Sequence, residues 1–146
     1  MNIKYIVYQT TNLINNKIYV GVHKTNPEIF DGYIGNNVYV NRPSTYEHPK
    51  ERFQYAVKKY GVKNFKRAII AIFDEEIDAY NLEEIIVNKE FLSRSDVYNV
   101  ALGGKSGNYN ITGKTIYQYS EDGKFIAEYR SIKEASIQIQ RNMSTL

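Results

Sequence analysis

The sequence predicts an α+β protein: a small three-stranded antiparallel sheet flanked by helices, followed by a short β-hairpin plus helix module. Three observations carry this prediction. Two apolar runs, residues 4–10 and 17–21, alternate on either side of the polar turn "NLINN". A third β-rich run, "NFKRAIIAIF", lies between two segments whose apolar residues recur at helical spacing. Beyond residue 113, two more alternating runs flank Glu121, Asp122 and Gly123, where Asp-Gly is a turn signal.

Each element follows from its own residues. Asn12, Asn15 and Asn16 tolerate the left-handed conformations of a tight turn, so the first two runs form a hairpin. Residues 26–50 contain three prolines, two glycines and several asparagines, and read as a long structured loop. Within it "DGYIGNNVYV" is too aromatic to be disordered. "ERFQYAVKKY" places Phe53, Ala56 and Val57 at helical spacing and stops at Gly61, a good residue just past a helix end. The third run is the central strand, expected to be buried on both faces. Residues 74–92, "DEEIDAYNLEEIIVNKEFL", read as one helix with acidic residues at its N-terminus, where the dipole favours them. "DVYNVALGG" is a short extended segment ending in two glycines.

The expected organisation is a domain over residues 1–104, a linker over 105–113 and a second module over 114–146. In that module Ser131 and Glu134 form a capping box opening the helix "IKEASIQIQ". Sequence ends at Leu146 just where a second short helix would follow Asn142, so the module reads as truncated or minimal.

Composition narrows the function. With no cysteine, disulfides, Cys-based zinc sites and thiol nucleophiles are excluded. His23 and His48 alone cannot make a zinc site. No signal-peptide-like start or long apolar run is present, so an intracellular, soluble protein is the expectation. A net charge of +3 permits a nucleic-acid partner without arguing strongly for one. Fourteen tyrosines against six phenylalanines suggest wet surfaces or binding sites, although a strand-rich composition explains them equally. No phosphate-cradling glycine loop, nucleophile elbow or metal-binding histidine cluster occurs.

Three groups of residues remain as candidates for chemistry. On a helical wheel of roughly 100° per residue, Glu83 falls on the arc of Ala79 and Val87, beside Leu82 and Ile86, whereas Glu84 points elsewhere. A carboxylate on an apolar arc is costly unless paired or bound to a cation; the competing reading is a helix-edge glutamate that snorkels to water. Lys58, Lys59, Lys63, Lys66 and Arg67 form a basic run interleaved with Tyr60 and Phe65, suited either to DNA phosphates or to a solvated helix end. His23 and Lys24 directly follow the second strand.

The order of these features resembles the GIY-YIG nuclease superfamily. The likeness rests on Ile6-Val7-Tyr8, Tyr19-Val20-Gly21, the "KKYG…F" step, Leu82-Glu83 followed by Val87, then Tyr98-Asn99 and the paired glycines. It covers about residues 4–104 and is closest to phage and intron-associated homing endonucleases carrying "GVHKT" and "DGYIG". This resemblance implies hydrolysis of double-stranded DNA with one divalent ion, Mg2+ or Mn2+, and no small-molecule cofactor. It implies Tyr8 and Tyr19 as the motif tyrosines, Glu83 as the metal-binding carboxylate and Asn99 as the asparagine closing the site. A tyrosine could take a proton from the attacking water if nearby cations lower its pKa from about 10.

Two departures stand out. The first motif lacks its glycine, and the arginine that follows the second strand in many members is absent, so His23, Lys24 or Arg42 is expected to substitute. His23 leads because it can both donate and accept. The tail resembles the small modular DNA-binding domain found behind such nucleases, in which a helix-turn-helix enters the major groove. An inactive DNA-binding regulator on the same scaffold, and a structure-selective repair or restriction nuclease, are the alternative readings.

Overall fold

A computed structural model of the chain describes residues 2–104, 116–119 and 125–129. Strand β1 (Lys4–Asn12) pairs antiparallel with β2 (Ile18–Thr25), as the alternating runs predicted. Their turn is built by asparagine. Asn16 takes φ of 62°, the Asn12 carboxamide oxygen accepts from the Ile14 N–H at 3.0 Å, and Asn15 does the same for Lys17 at 3.0 Å.

The long loop holds more order than its sequence suggested. Tyr33–Gly35 (β3) and Val38–Tyr39 (β4) form a small hairpin turned by Asn36 and Asn37, with φ of 50° and 63°. Two consecutive left-handed residues are the signature of a type I′ turn, a role that "NN" could have signalled. Thr10 ties this hairpin to the main sheet by donating to the Ile34 carbonyl at 2.6 Å.

Helix α1 (Arg52–Tyr60) buries Phe53, Ala56 and Val57 and ends where Gly61, at φ +90°, donates to the Val57 carbonyl. Strand β5 (Phe65–Phe73) then pairs antiparallel with the other edge of β1, with a bulge between Val7 and Tyr8. Its first half alternates between exposed and buried, so it is not buried on both faces throughout.

The segment read as one helix is two. Helix α2 (Glu76–Ile86) stops at Val87, and Asn88 caps α3 (Lys89–Leu92) by accepting from the Phe91 N–H at 2.9 Å. An asparagine cap breaks the helix despite the apolar run around it. The Gly103 N–H also donates to the Val87 carbonyl at 2.8 Å, occupying the end of α2.

Strands β6 (Ile116–Tyr119) and β7 (Phe125–Tyr129) complete one five-stranded sheet in the order β2-β1-β5-β6-β7. The expected three-stranded sheet is thus β2-β1-β5, and the second hairpin pairs antiparallel with its β5 edge at Ile72 and Tyr117. The expected linker, the Asp-Gly turn and the capped C-terminal helix lie outside the described residues. Helices α2 and α3 pack Ala79, Leu82, Ile86 and Phe91 on Val7, Val20 and Ile70. A second cluster joins Ile34 and Val38 to Phe53, Val57, Phe65 and Tyr98, and a third gathers Ile6, Tyr8 and Ile69.

Candidate active site

Register sets the tyrosines. Tyr8 lies opposite Gly21, and Thr10 opposite Tyr19. Residues facing each other across an antiparallel pair share a face, so Tyr8, Tyr19, Gly21 and His23 all project from one side of the sheet. The Tyr8 and Tyr19 rings are 6.4 Å apart, and Tyr33 meets Tyr8 edge-on at 6.0 Å. Both motif glycines exist to admit these rings. A Cβ on Gly21 would lie 2.5 Å from the Tyr8 hydroxyl, and one on Gly35 would lie 2.6 Å from the Tyr19 ring. Gly35 also takes φ of +126°, which side-chain-bearing residues rarely adopt.

Tyr19 and Glu83 line one cleft of about 240 Å³, together with Glu51, Asn36, Asn99 and Gly103. Glu83 is half-buried on α2 while its neighbour Glu84 is exposed. Burial pushes the Glu83 carboxyl above its ordinary range, opposed by the Gly104 N–H, which donates to Oε1 at 2.8 Å. Its other oxygen makes no hydrogen bond among the described residues. The paired glycines are part of this arrangement: a Cβ on Gly103 would sit 2.4 Å from the Glu83 carbonyl oxygen.

Asn99 does the work of a strand. Its side-chain Nδ2 donates to the Val20 carbonyl at 2.8 Å, and its Oδ1 accepts from the Val20 N–H at 3.0 Å. Arg52 in turn donates to the Asn99 carbonyl at 2.7 Å. Asn99 therefore fixes the segment that walls the cleft against the outer edge of β2.

Neither tyrosine has the depressed pKa that a general base would need. Burial raises Tyr8 well above its usual value, reinforced by Tyr33, Tyr19 and Glu83. Burial likewise raises Tyr19, with Tyr33, Glu83 and Glu51 adding to it and the Asn36 backbone N–H opposing. Within the protein itself, acidic and phenolic neighbours surround the hydroxyls, so His23 and Lys24 do not supply the lowering that a tyrosine base needs.

The other candidates scatter. His23 is four strand residues beyond Tyr19, about 13 Å at the usual rise. It stacks on Tyr33 at 4.0 Å, so a run of rings connects it to Tyr8 and Tyr19. Lys24 projects to the opposite face, exposed, with its ammonium 5.9 Å from the Tyr5 ring. Arg42 is exposed and stacks on Tyr39 at 4.3 Å, one ring further out from Tyr33. Lys58, Lys59, Lys63 and Lys66 are exposed. Arg67 is not part of that strip: it is 6% exposed, and its Nη1 donates to the Tyr33 carbonyl at 2.9 Å and to Asp31 at 3.2 Å.

Asp31, which the sequence did not single out, is the centre of a polar knot. Its Oδ2 lies 2.6 Å from His23 Nε2 and accepts from the Thr25 hydroxyl at 2.9 Å. Its Oδ1 accepts from the Tyr33 N–H at 3.0 Å as well as from Arg67. Partial burial would raise this carboxyl, but the bonds from His23, Tyr33 and Thr25 outweigh it and hold it below its ordinary range.

The fold and cleft define a small antiparallel α+β protein with one desolvated carboxylate facing a tyrosine. Comparison with known proteins adds a direction. The chain is 34% identical over 150 residues to the Enterobacteria phage T4 protein named "Putative endonuclease segD", covering 98% of this chain and 60% of that protein. It is 37% identical over 138 residues to "Putative endonuclease segB" of the same phage (93% and 56%), and 31% identical over 120 residues to its "Endonuclease segA" (80% and 48%). The chain spans about half the length of the curated relatives it matches. No family model matches the sequence, and no solved structure matches it. Among the described residues, no helix is long and apolar enough to cross a membrane.

Proposed function

We propose that the chain is a metal-dependent DNA endonuclease of the GIY-YIG type, cutting double-stranded DNA site-specifically in the manner of a homing endonuclease. The observation that carries the reading is the cleft in which Tyr19 and the desolvated Glu83 meet. Likeness to phage T4 proteins named as endonucleases supports the same class of activity, and with it a place inside an infected cell.

The residues present suit a single hard cation. Among the described residues, no group of three or more His, Cys, Asp or Glu could hold a metal by itself. One carboxylate with an oxygen to spare fits Mg2+ or Mn2+, since Mg2+ keeps several waters and leaves room for phosphate oxygens. When bound, the ion would supply Lewis-acid stabilisation of the phosphoryl and leaving-group oxygens.

The chain's own groups do the rest. Glu83 holds the ion. Tyr19, whose phenol is protonated at neutral pH and which burial keeps so, acts as a hydrogen-bond donor to a phosphate oxygen or to the attacking water. Tyr8 and Gly35 fix the Tyr19 ring, and Asn99 locks the cleft wall. Lys58, Lys59, Lys63 and Lys66 neutralise backbone phosphates, which makes binding salt-dependent.

The test is direct. With Mg2+ or Mn2+, the chain should nick or linearise supercoiled plasmid, and Glu83→Ala should not, with an unchanged circular-dichroism spectrum. Undiminished cleavage by that variant overturns the site. A second reading, a DNA-binding protein that does not cut, draws on the protonated tyrosines and the burial of Arg67. It predicts a gel shift with no cleavage across both metal titrations.

A further inference from the structure

Hydrolysis of a phosphodiester needs a group that takes the proton of the attacking water, and a phenol that burial keeps protonated cannot be that group. The titratable side chains lining the cleft are Tyr19, Glu83, Tyr98 and Glu51. Tyr98 is buried, and its hydroxyl already accepts from the carboxamides of Asn12 at 3.0 Å and Asn15 at 3.3 Å. Glu83 is the metal ligand of the reading above. Among the described residues of the cleft, that leaves Glu51, a solvent-exposed carboxylate directly before α1.

The residues that follow Glu51 fasten it to both walls of the cleft. Gln54 Oε1 accepts from the Glu51 N–H at 3.1 Å, while its Nε2 donates to the Asn36 carbonyl at 2.9 Å. The Asn36 N–H in turn donates to the Tyr19 hydroxyl. One glutamine therefore ties the backbone of Glu51 to the residue that holds Tyr19. On the other wall, Arg52 donates to the Asn99 carbonyl at 2.7 Å. The Glu51 carboxylate is close enough to act electrostatically on the Tyr19 phenol. An anion facing a phosphate site weakens DNA binding, so its place in the cleft is a cost unless it serves the chemistry.

We propose that Glu51 is the general base of the cleft, taking a proton from the water that attacks the scissile phosphorus. This rests on the nuclease reading above. One O–H bond of the water breaks and its proton passes to a Glu51 carboxylate oxygen, while the water oxygen forms the new bond to phosphorus. The bond from phosphorus to the departing strand breaks, and that oxygen takes a proton from solvent. Tyr19 donates a hydrogen bond throughout and keeps its own proton, so donor and acceptor are separate residues.

Single-turnover cleavage of supercoiled plasmid by the 146-residue chain with Mg2+ tests this. Glu51→Gln keeps the size of the side chain and the backbone contacts, and should slow cleavage about 100- to 1,000-fold. Metal-free binding of the same DNA, read by gel shift, should hold or tighten, because a negative charge facing phosphates has gone. More Mg2+ should not restore the rate. Recovery at high Mg2+ makes Glu51 a metal ligand and overturns the proposal. Formate added to Glu51→Ala should raise its rate in proportion to concentration, since a small carboxylate can enter the vacated space and accept the proton; a merely structural residue is not replaced by a soluble base. No formate dependence overturns the assignment. A wild type that cuts beside a Glu51→Gln that cuts equally fast defeats the base alone, whereas a wild type that does not cut defeats the nuclease reading and the base with it.

Discussion

Two carboxylates flank strand β2, and the fold treats them in opposite ways. Glu83 is desolvated with a single backbone N–H for company, and its pKa is raised. Asp31 receives bonds from Thr25, Arg67 and the Tyr33 N–H, touches His23, and its pKa is lowered. A carboxylate left short of partners carries an unmet electrostatic demand, which a cation can satisfy. One whose oxygens are saturated has nothing left to offer a ligand and can only orient its neighbours. The difference separates a binding group from a positioning group without appeal to motif.

The largest test of this contrast is activity against stability. Glu83→Ala should reduce cleavage about 1,000-fold or more, since a metal ligand underwrites several kcal/mol of transition-state stabilisation. Its thermal midpoint should hold or rise, because a desolvated charge has gone. Asp31→Ala should do the reverse in emphasis, lowering stability by about 2–4 kcal/mol in a denaturant melt by withdrawing a carboxylate from a buried guanidinium. If Glu83→Ala unfolds the protein while Asp31→Ala leaves it stable, the assignment of the two roles is inverted.

Next in size is the tyrosine in the cleft. Tyr19→Phe keeps the ring against Phe53, at 4.9 Å, and removes only the hydroxyl. Single-turnover cleavage should fall about 100-fold, the scale of one lost donor to developing charge. Tyr8→Phe, whose ring is buried away from the cleft, should cost clearly less.

The smallest effect is on the pH dependence of folding, and its sign differs between the two groups. Asp31 has a folded pKa below its ordinary value of 3.8, so its stabilisation is present above that pH and is lost as pH falls through the folded value. Glu83 has a folded pKa above 4.5, so stability declines as pH rises from 4.5 through the folded value. Urea melts from pH 3 to 7 should show Asp31→Asn flattening the acid limb and Glu83→Gln flattening the decline above it. Identical slopes in both variants would contradict the opposed environments.

Much of the cleft was legible in the sequence because local periodicity encodes it. The alternation around "NLINN" placed Tyr8 and Tyr19 on facing strands, and the helical wheel separated Glu83 from Glu84, which the structure finds half-buried and exposed respectively. The Asp31 knot was not legible, because its members meet only through the fold: Arg67 is 36 residues from Asp31 and reaches it across the sheet. Counting Arg67 with the lysines followed from charge alone, whereas strand alternation turns it inward while Lys66 stays outside. The break at Asn88 was masked by apolar neighbours that suit a continuing helix, although an asparagine three residues before Phe91 is a capping signal.

The amide of Asn99 has a consequence outside catalysis. β2 is one of the two outer strands of the sheet, and an open edge is a template for pairing with another molecule. Along its first half the outward groups are already taken: the Ile18 N–H by the Asp96 carbonyl, the Ile18 carbonyl by the Tyr98 N–H, and both groups of Val20 by the Asn99 side chain. One side chain thus closes the Val20 position of this edge to a second molecule. Its removal in Asn99→Ala should appear first as concentration-dependent light scattering, before any change in melting temperature.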